Sequence, residues 1–181
     1  MTTSPQTKTE IPNGLDARVL TRILEEGYGS GAWHGPDMKA SLDDVSAELA
    51  FWRVAPDRRN IAEITLHHAY SARYVRGVLS GSQPESFVME GEDWFPLSGD
   101  TLSWPTIRET LDTEQRQLTN TVAEIVAGQA KPTFADARCL ELILGITCHA
   151  AYHAGQIQLL KRIADSITAT EQDSQAHTRA T

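Results

Sequence analysis

The sequence contains few cysteines, no long apolar run and no cluster of basic residues. Its two cysteines, Cys139 and Cys148, would be separated by roughly 13 Å along one helix, which is too far for a disulfide. No stretch approaches the ~20 apolar residues that cross a bilayer. The first residues also lack the hydrophobic segment of a signal peptide. We therefore expect a cytoplasmic protein with reduced cysteines and no membrane partner.

Positive charge is scarce as well. The 181 residues include 16 Lys and Arg against 24 Asp and Glu, which gives a formal net charge of −8. A surface of this sign repels a phosphate backbone, so nucleic-acid binding is not expected. The rest of the composition, 40% hydrophobic and 22% charged, is that of an ordinary globular protein. The length suits one domain with a buried core.

The alternating β-rich runs that are typical of strands are nearly absent. Apolar residues recur instead at helical spacing in four long segments. These segments span about 14–28, 60–81, 104–127 and 134–165. The pattern predicts an all-α fold, a four-helix bundle over residues 14–165. The polar segments 1–13 and 166–181 are expected to be disordered tails.

The second long helix has the clearest boundaries. Asn60 is a good N-cap, Glu63 occupies the N3 position of a capping-box-like arrangement, and Gly81 follows the last turn. The loop after it, residues 81–102, is unusually long, and loops of this length are often functional. Its Trp94 and Phe95 are predicted to cover a pocket or to form a dimer contact.

Two of the six histidines lie four residues apart in the stretch HAAYHAGQ, residues 149–156. On a helix this spacing puts His149 and His153 on one face with their Cβ atoms about 6 Å apart, as in zinc sites of the HExxH type. The glutamate of those sites is missing here. Because Ile146 and Leu160 share the face, the pair points into the bundle. A metal ion or backbone carbonyls can satisfy buried imidazoles, and spacing alone leaves both alternatives open.

A third ligand could come from His67 or His68 in the second helix. The apolar pattern of that helix slightly favours His68 as the residue that faces the core. His67 shares its face with Glu63 and Ser71, and this mixed face could line a cavity. The pattern does not decide between the two histidines.

Two segments, NIAEITLHHAYSARYVRGVLSG and GITCHAAYHAGQIQLLKR, resemble the DinB/YfiT-like superfamily of metal-binding four-helix bundles. That family carries a pattern like E-x-x-x-H-x-x-Y in its second helix and H-x-x-Y-H-x-x-Q-I in its last. The matching residues here are Glu63, His67, Tyr70, His149, Tyr152, His153, Gln156 and Ile157. The resemblance covers roughly residues 14–165 and implies a metal-ligand triad of His67, His149 and His153.

The resemblance also implies the chemistry. Three neutral imidazoles leave open positions on a divalent ion, with zinc as the expected metal and nickel as an alternative. The family includes thiol S-transferases, thiol-dependent isomerases and presumed hydrolases. We therefore expect the metal to activate water or a low-molecular-weight thiol for attack on a small electrophilic substrate. The alternative is a non-catalytic metal-binding or stress-response bundle. A homodimer is compatible with either.

Five further residues are candidates for a place near the site. His34 lies in a glycine-rich break and either approaches the metal or caps a loop. Glu63, one turn before the first ligand, either orients an imidazole or stabilises the start of its helix. Tyr70 and Tyr152 are expected mainly as core residues. Gln156 either donates to the site or packs.

Overall fold

The computed structural model describes residues 17–29, 31–133 and 135–179, and these form six helices without a strand. The helices are α1 (Ala17–Gly27), α2 (Met38–Ser41), α3 (Ala47–Phe51), α4 (Ile61–Ser80), α5 (Trp104–Val126) and α6 (Asp136–Arg179). Helix α4 packs against α5 and α6, and α1 packs against the same two helices. The predicted all-α four-helix bundle is confirmed, with α2 and α3 as short additions.

Helix α4 is the central element of the bundle. Its N-terminus is capped by the Asn60 side chain, which accepts the backbone N–H of Glu63 at 2.8 Å. Its C-terminus is Gly81, whose φ of 66° lies in the left-handed region. Nine consecutive residues, 61–69, are buried. Because this half of α4 is enclosed on all sides, burial there does not follow one helix face.

The last helix is longer than predicted. Helix α6 begins at Asp136 and continues to Arg179, beyond the predicted end at residue 165. No glycine or proline follows Gly155 to end it, and the polar residues that follow are compatible with a helix. Residues 166–179, predicted to belong to a disordered tail, are helical in the structure. The predicted tail at 1–13 lies outside the described residues.

The loop between α4 and α5 is held against the core. Its Phe95 and Leu97 are 1% and 4% exposed and belong to the apolar cluster around the first half of α4. A second apolar cluster fills the opposite end of the bundle, between α1 and the second half of α4. The fold therefore places this loop beside the buried histidines of α4.

Among the described residues, no helix combines the length and the apolar character that crossing a membrane requires.

Candidate metal centre

Three imidazoles converge between α4 and α6. The Nε2 atom of His149 lies 3.0 Å from Nε2 of His67 and 3.0 Å from Nε2 of His153. His67 and His153 are 6% and 2% exposed, and His149 is partly buried. The structure thus brings together the three residues that the resemblance implied, and their ligand atoms are close enough to hold one metal ion.

The outer nitrogens of these rings also have partners. Nδ1 of His67 lies 2.9 Å from the backbone carbonyl oxygen of Asp93 and 3.0 Å from its carboxylate. Nδ1 of His153 lies 2.6 Å from the amide oxygen of Gln156. Since these oxygens only accept hydrogen bonds, they assign the imidazole proton to Nδ1 in both rings. The Nε2 lone pairs of His67 and His153 are then directed at the centre of the cluster.

The electrostatics favour the neutral form of His149 and His153. Burial lowers the pKa of His149 to about 4, and the neighbouring imidazoles add to the effect. Burial also lowers the pKa of His153, although the hydrogen bond to Gln156 opposes the change. Neutral imidazole is the form that binds a metal ion, so these two rings need not lose a proton first at neutral pH.

The family comparison agrees with this geometry. The sequence model described as the DinB superfamily matches residues 32–157, which is more than half of the chain and includes all three histidines. The chain belongs to the DinB superfamily. No curated protein matches it, and neither does any solved structure. The family resemblance recognised in the sequence is therefore confirmed.

The loop between α4 and α5 packs against the histidine cluster. The ring of Trp94 stacks on His67 with centroids 3.9 Å apart and an interplanar angle of 5°. The guanidinium of Arg59 lies 4.7 Å from the ring centroid of Trp94. Asp93, which contacts the other nitrogen of His67, has a φ of 64°, a left-handed value that is uncommon outside glycine. Trp94 thus contacts a candidate ligand, whereas Phe95, the other residue predicted to cover a pocket or to form a dimer contact, is buried in the core.

Of the two roles considered for Glu63, the contacts of its carboxylate favour the one at the start of its helix. It is 1% exposed, and its two carboxylate oxygens accept hydrogen bonds of 3.0 and 2.6 Å from Arg53. The backbone N–H of Leu97 donates a further bond of 3.0 Å. The carboxylate does not return to the backbone of Asn60, so the capping box is only half formed. Glu63 ties the start of α4 to the segment that follows α3 and to the loop instead of orienting an imidazole.

The remaining candidates lie around the cluster or away from it. His34 is exposed and its Nε2 lies 2.8 Å from the carbonyl of Glu26, a contact that caps the loop after α1. Tyr70 is half-buried against Phe87 and Phe95. Tyr152 is 64% exposed, so its expected place in the core is wrong.

Gln156 connects Tyr152 to the cluster. Its amide nitrogen donates to the hydroxyl of Tyr152 at 3.1 Å, and its oxygen contacts His153. Of the two roles predicted for Gln156, interaction with the site and simple packing, the geometry favours interaction. The hydroxyl of Tyr152 therefore lies one hydrogen bond away from the residue that orients His153.

A cleft of about 470 Å³ opens beside the histidine cluster of this DinB-superfamily protein. Its lining comes from α4, α6 and the loop, and His149 forms part of it. Tyr70, Tyr74, Glu92 and Asp93 are among the other lining residues. Reasoning from sequence missed Asp93, because no spacing rule connects a residue in a long loop to a particular imidazole nitrogen.

Proposed function

We propose that the chain binds one divalent metal ion through the Nε2 atoms of His67, His149 and His153. The observation that carries this proposal is the convergence of three Nε2 atoms, two of them only 3.0 Å from the third. Lone pairs gathered in this way repel one another unless a cation or a proton lies between them. Tetrahedral zinc with bonds of ~2.0–2.1 Å separates its nitrogen ligands by about 3.3 Å, close to the observed spacing.

The ligand set supports a catalytic centre. The group of metal-capable side chains found among the described residues has three members, and a structural zinc site normally has four. Glu63 and His34, two of the further candidates near the site, have Arg53 and the Glu26 carbonyl as partners instead. A bound ion would therefore keep a position for water or for a thiol. Zinc is the expected ion, and an all-imidazole site also suits nickel.

The proposed reaction is attack by water or a low-molecular-weight thiol on a small electrophile held in the cleft. A bound divalent ion would lower the pKa of the water or thiol and so supply the nucleophile at neutral pH. The side chains provide orientation and shielding. Asp93 and Gln156 accept the Nδ1 protons of two ligands, and Trp94 covers one face of His67. His149 contributes to both the cluster and the cleft, which supports a nucleophile on the metal beside a substrate in the cleft.

Metal analysis and two histidine variants test the proposal. Protein purified without chelators should contain close to one zinc or nickel per chain by elemental analysis. His153→Ala should lose this metal, whereas His34→Ala, an exposed histidine outside the cluster, should retain it. Wild-type protein that binds neither ion when titrated at neutral pH would contradict the proposed site.

A second measurement separates an enzyme from a storage or stress-response bundle. The metal-loaded protein is assayed for hydrolysis and for thiol conjugation of small electrophiles, with and without an added thiol. Turnover that is lost in His153→Ala while the circular dichroism spectrum is unchanged would support the enzyme. A fully loaded protein whose metal exchanges no ligand with azide or thiols would instead identify a non-catalytic metal-binding domain.

We also propose that two copies of the chain pair through α6. Exposed residues recur on one face of α6 at intervals of three and four positions. They are Glu141, Leu144, Cys148, Tyr152, Gly155, Leu159 and Arg162. Leu144, Tyr152 and Leu159 are 43%, 64% and 57% exposed, so this face leaves large apolar area without cover in one chain.

The order of residues along this face favours an antiparallel pair. When two copies run in opposite directions about a twofold axis, Leu144 faces Leu159 and Cys148 faces Gly155 of the second copy. The same register places Glu141 opposite Arg162, which matches opposite charges at both ends. Gly155 has open space around the position of a Cβ atom, so small residues near the axis allow a close approach of the helices. The face is therefore complementary to itself.

A cysteine substitution tests this register. Gly155→Cys should form a covalent dimer on mild oxidation, because the introduced thiol faces Cys148 of the second copy. The double variant Gly155→Cys with Cys148→Ser keeps the introduced thiol without its partner and should stay uncrosslinked. Sedimentation of the wild-type protein as a monomer at all concentrations would contradict the proposed dimer.

A further inference from the structure

His68 lies beside the candidate ligands without belonging to them. It is 0% exposed, its Nδ1 atom lies 3.0 Å from Nδ1 of His149, and its Nε2 atom has no hydrogen-bond partner among the described residues. A buried nitrogen without a partner costs free energy, whereas an apolar side chain of similar size would fill the same space without that cost. Packing alone therefore does not account for a histidine at this position.

We propose that His68 is a positioning residue that accepts a hydrogen bond from Nδ1 of His149 and so directs the Nε2 atom of His149 at the metal. This inference rests on the metal site proposed above. A neutral imidazole that binds a metal through Nε2 carries its proton on Nδ1. The facing Nδ1 of His68 must then be the acceptor, and the proton of His68 must be on Nε2. That is the atom that the structure leaves without a partner.

The other two ligands show why His149 needs such a residue. His67 and His153 each have an oxygen acceptor at Nδ1, from Asp93 and Gln156. His149 has the Nδ1 atom of His68 at the equivalent place. His149 is also less buried than the other two ligands and lines the cleft. With the acceptor in place, all three rings have their metal-binding nitrogen selected by a partner on the opposite nitrogen.

Three substitutions at position 68 separate this role from packing. His68→Leu fills a similar volume without an acceptor. His68→Asn places an amide oxygen close to the position of Nδ1, whereas His68→Gln extends its amide towards the position of Nε2, away from His149. The dissociation constant for zinc is measured by competition with a chromophoric chelator, and the absorption spectrum of the cobalt-loaded protein reports the ligand geometry. The thermal stability of the metal-free proteins shows whether packing has changed.

The expected result is a loss of zinc affinity of about 10- to 100-fold in His68→Leu and His68→Gln, with most of the affinity retained in His68→Asn. The cobalt spectrum should change in the same two variants. The thermal stability of the metal-free proteins should not rank the variants in the same order as their zinc affinity does. If His68→Leu fails to fold, the comparison of His68→Asn with His68→Gln decides the question. Equal zinc affinity in all three variants and the wild type would overturn this inference alone. A wild-type protein that binds no metal would instead overturn the metal site itself.

Discussion

Replacing Glu63 with glutamine should destabilise the protein far more than an exposed replacement of the same kind. Glu63 is 1% exposed and accepts two hydrogen bonds from Arg53 and one from the N–H of Leu97. Removing one partner of a buried ion pair costs about 3–5 kcal/mol. The Arg53 side chain is 29% exposed, so water can hydrate part of the guanidinium, and the amide keeps one acceptor oxygen. We therefore expect a loss of about 2–3 kcal/mol for Glu63→Gln.

Urea denaturation and thermal melting at pH 7 measure this loss. For a chain of this length, about 2–3 kcal/mol corresponds to a decrease in Tm of about 5–10 °C. The matched control is Glu109→Gln, which removes one negative charge from an exposed position in α5 and should change stability by less than about 0.5 kcal/mol. Equal melting temperatures for the two variants would refute the assignment of Glu63 as the residue that ties the loop to α4.

The pH dependence provides an independent check. Burial by itself raises the pKa of Glu63, but the hydrogen bonds from Arg53 and from the Leu97 N–H outweigh it, so the pKa lies below its usual value. The stability from this carboxylate is therefore complete above the unfolded-state pKa of ~4.3 and decreases as the pH falls through the lower, folded-state pKa. The stability difference between the wild type and Glu63→Gln should shrink as the pH is lowered from 5 towards 3. A difference that stays constant over this range would contradict the reasoning.

Four further substitutions test the left-handed positions and the loop. Gly81→Ala should lower the stability by about 1 kcal/mol more than Gly128→Ala. Both glycines have positive φ, but of the two only Gly81 has another side chain 2.5 Å from the position of an added Cβ atom. Equal losses of stability in urea denaturation would contradict this. Nickel should quench tryptophan emission in the wild type and much less in Trp94→Phe, because Trp94 stacks on a proposed ligand. Asp93→Gly should lower zinc affinity less than 10-fold, since the backbone carbonyl that contacts His67 remains. A larger loss in a chelator competition would assign the effect to the carboxylate.

The helices could be predicted because their signals are local. Asn60 caps α4 and Gly81 ends it at the predicted positions, and α5 begins at Trp104 as expected. Apolar periodicity and caps act within one or two turns, so they can be recognised without knowledge of the rest of the chain. The end of α6 was predicted too early because a polar helical segment lacks an apolar stripe, although nothing in it stops a helix.

The candidate site could be predicted only in part. The spacing of His149 and His153 on one helix was enough to place both imidazoles on the same face. The partners of Glu63 could not be predicted, because Arg53 comes from the irregular segment after α3 and Leu97 from the long loop. Contacts between distant segments depend on the path of every loop between them.

Sequence alone determined that this chain is a helical bundle with two imidazoles one turn apart on its last long helix, and its motifs were enough to identify the family. The apolar pattern left His67 and His68 open and the family motif implied His67; the tertiary structure shows the physical reason why His67 joins them. His67 and His68 are both buried, since the first half of α4 is enclosed on every side, and burial therefore cannot distinguish them. The rotation of α4 against α6 directs Nε2 of His67 into the cluster and leaves His68 against the far nitrogen of His149. That rotation is set by the packing of the whole core, which no short sequence pattern specifies.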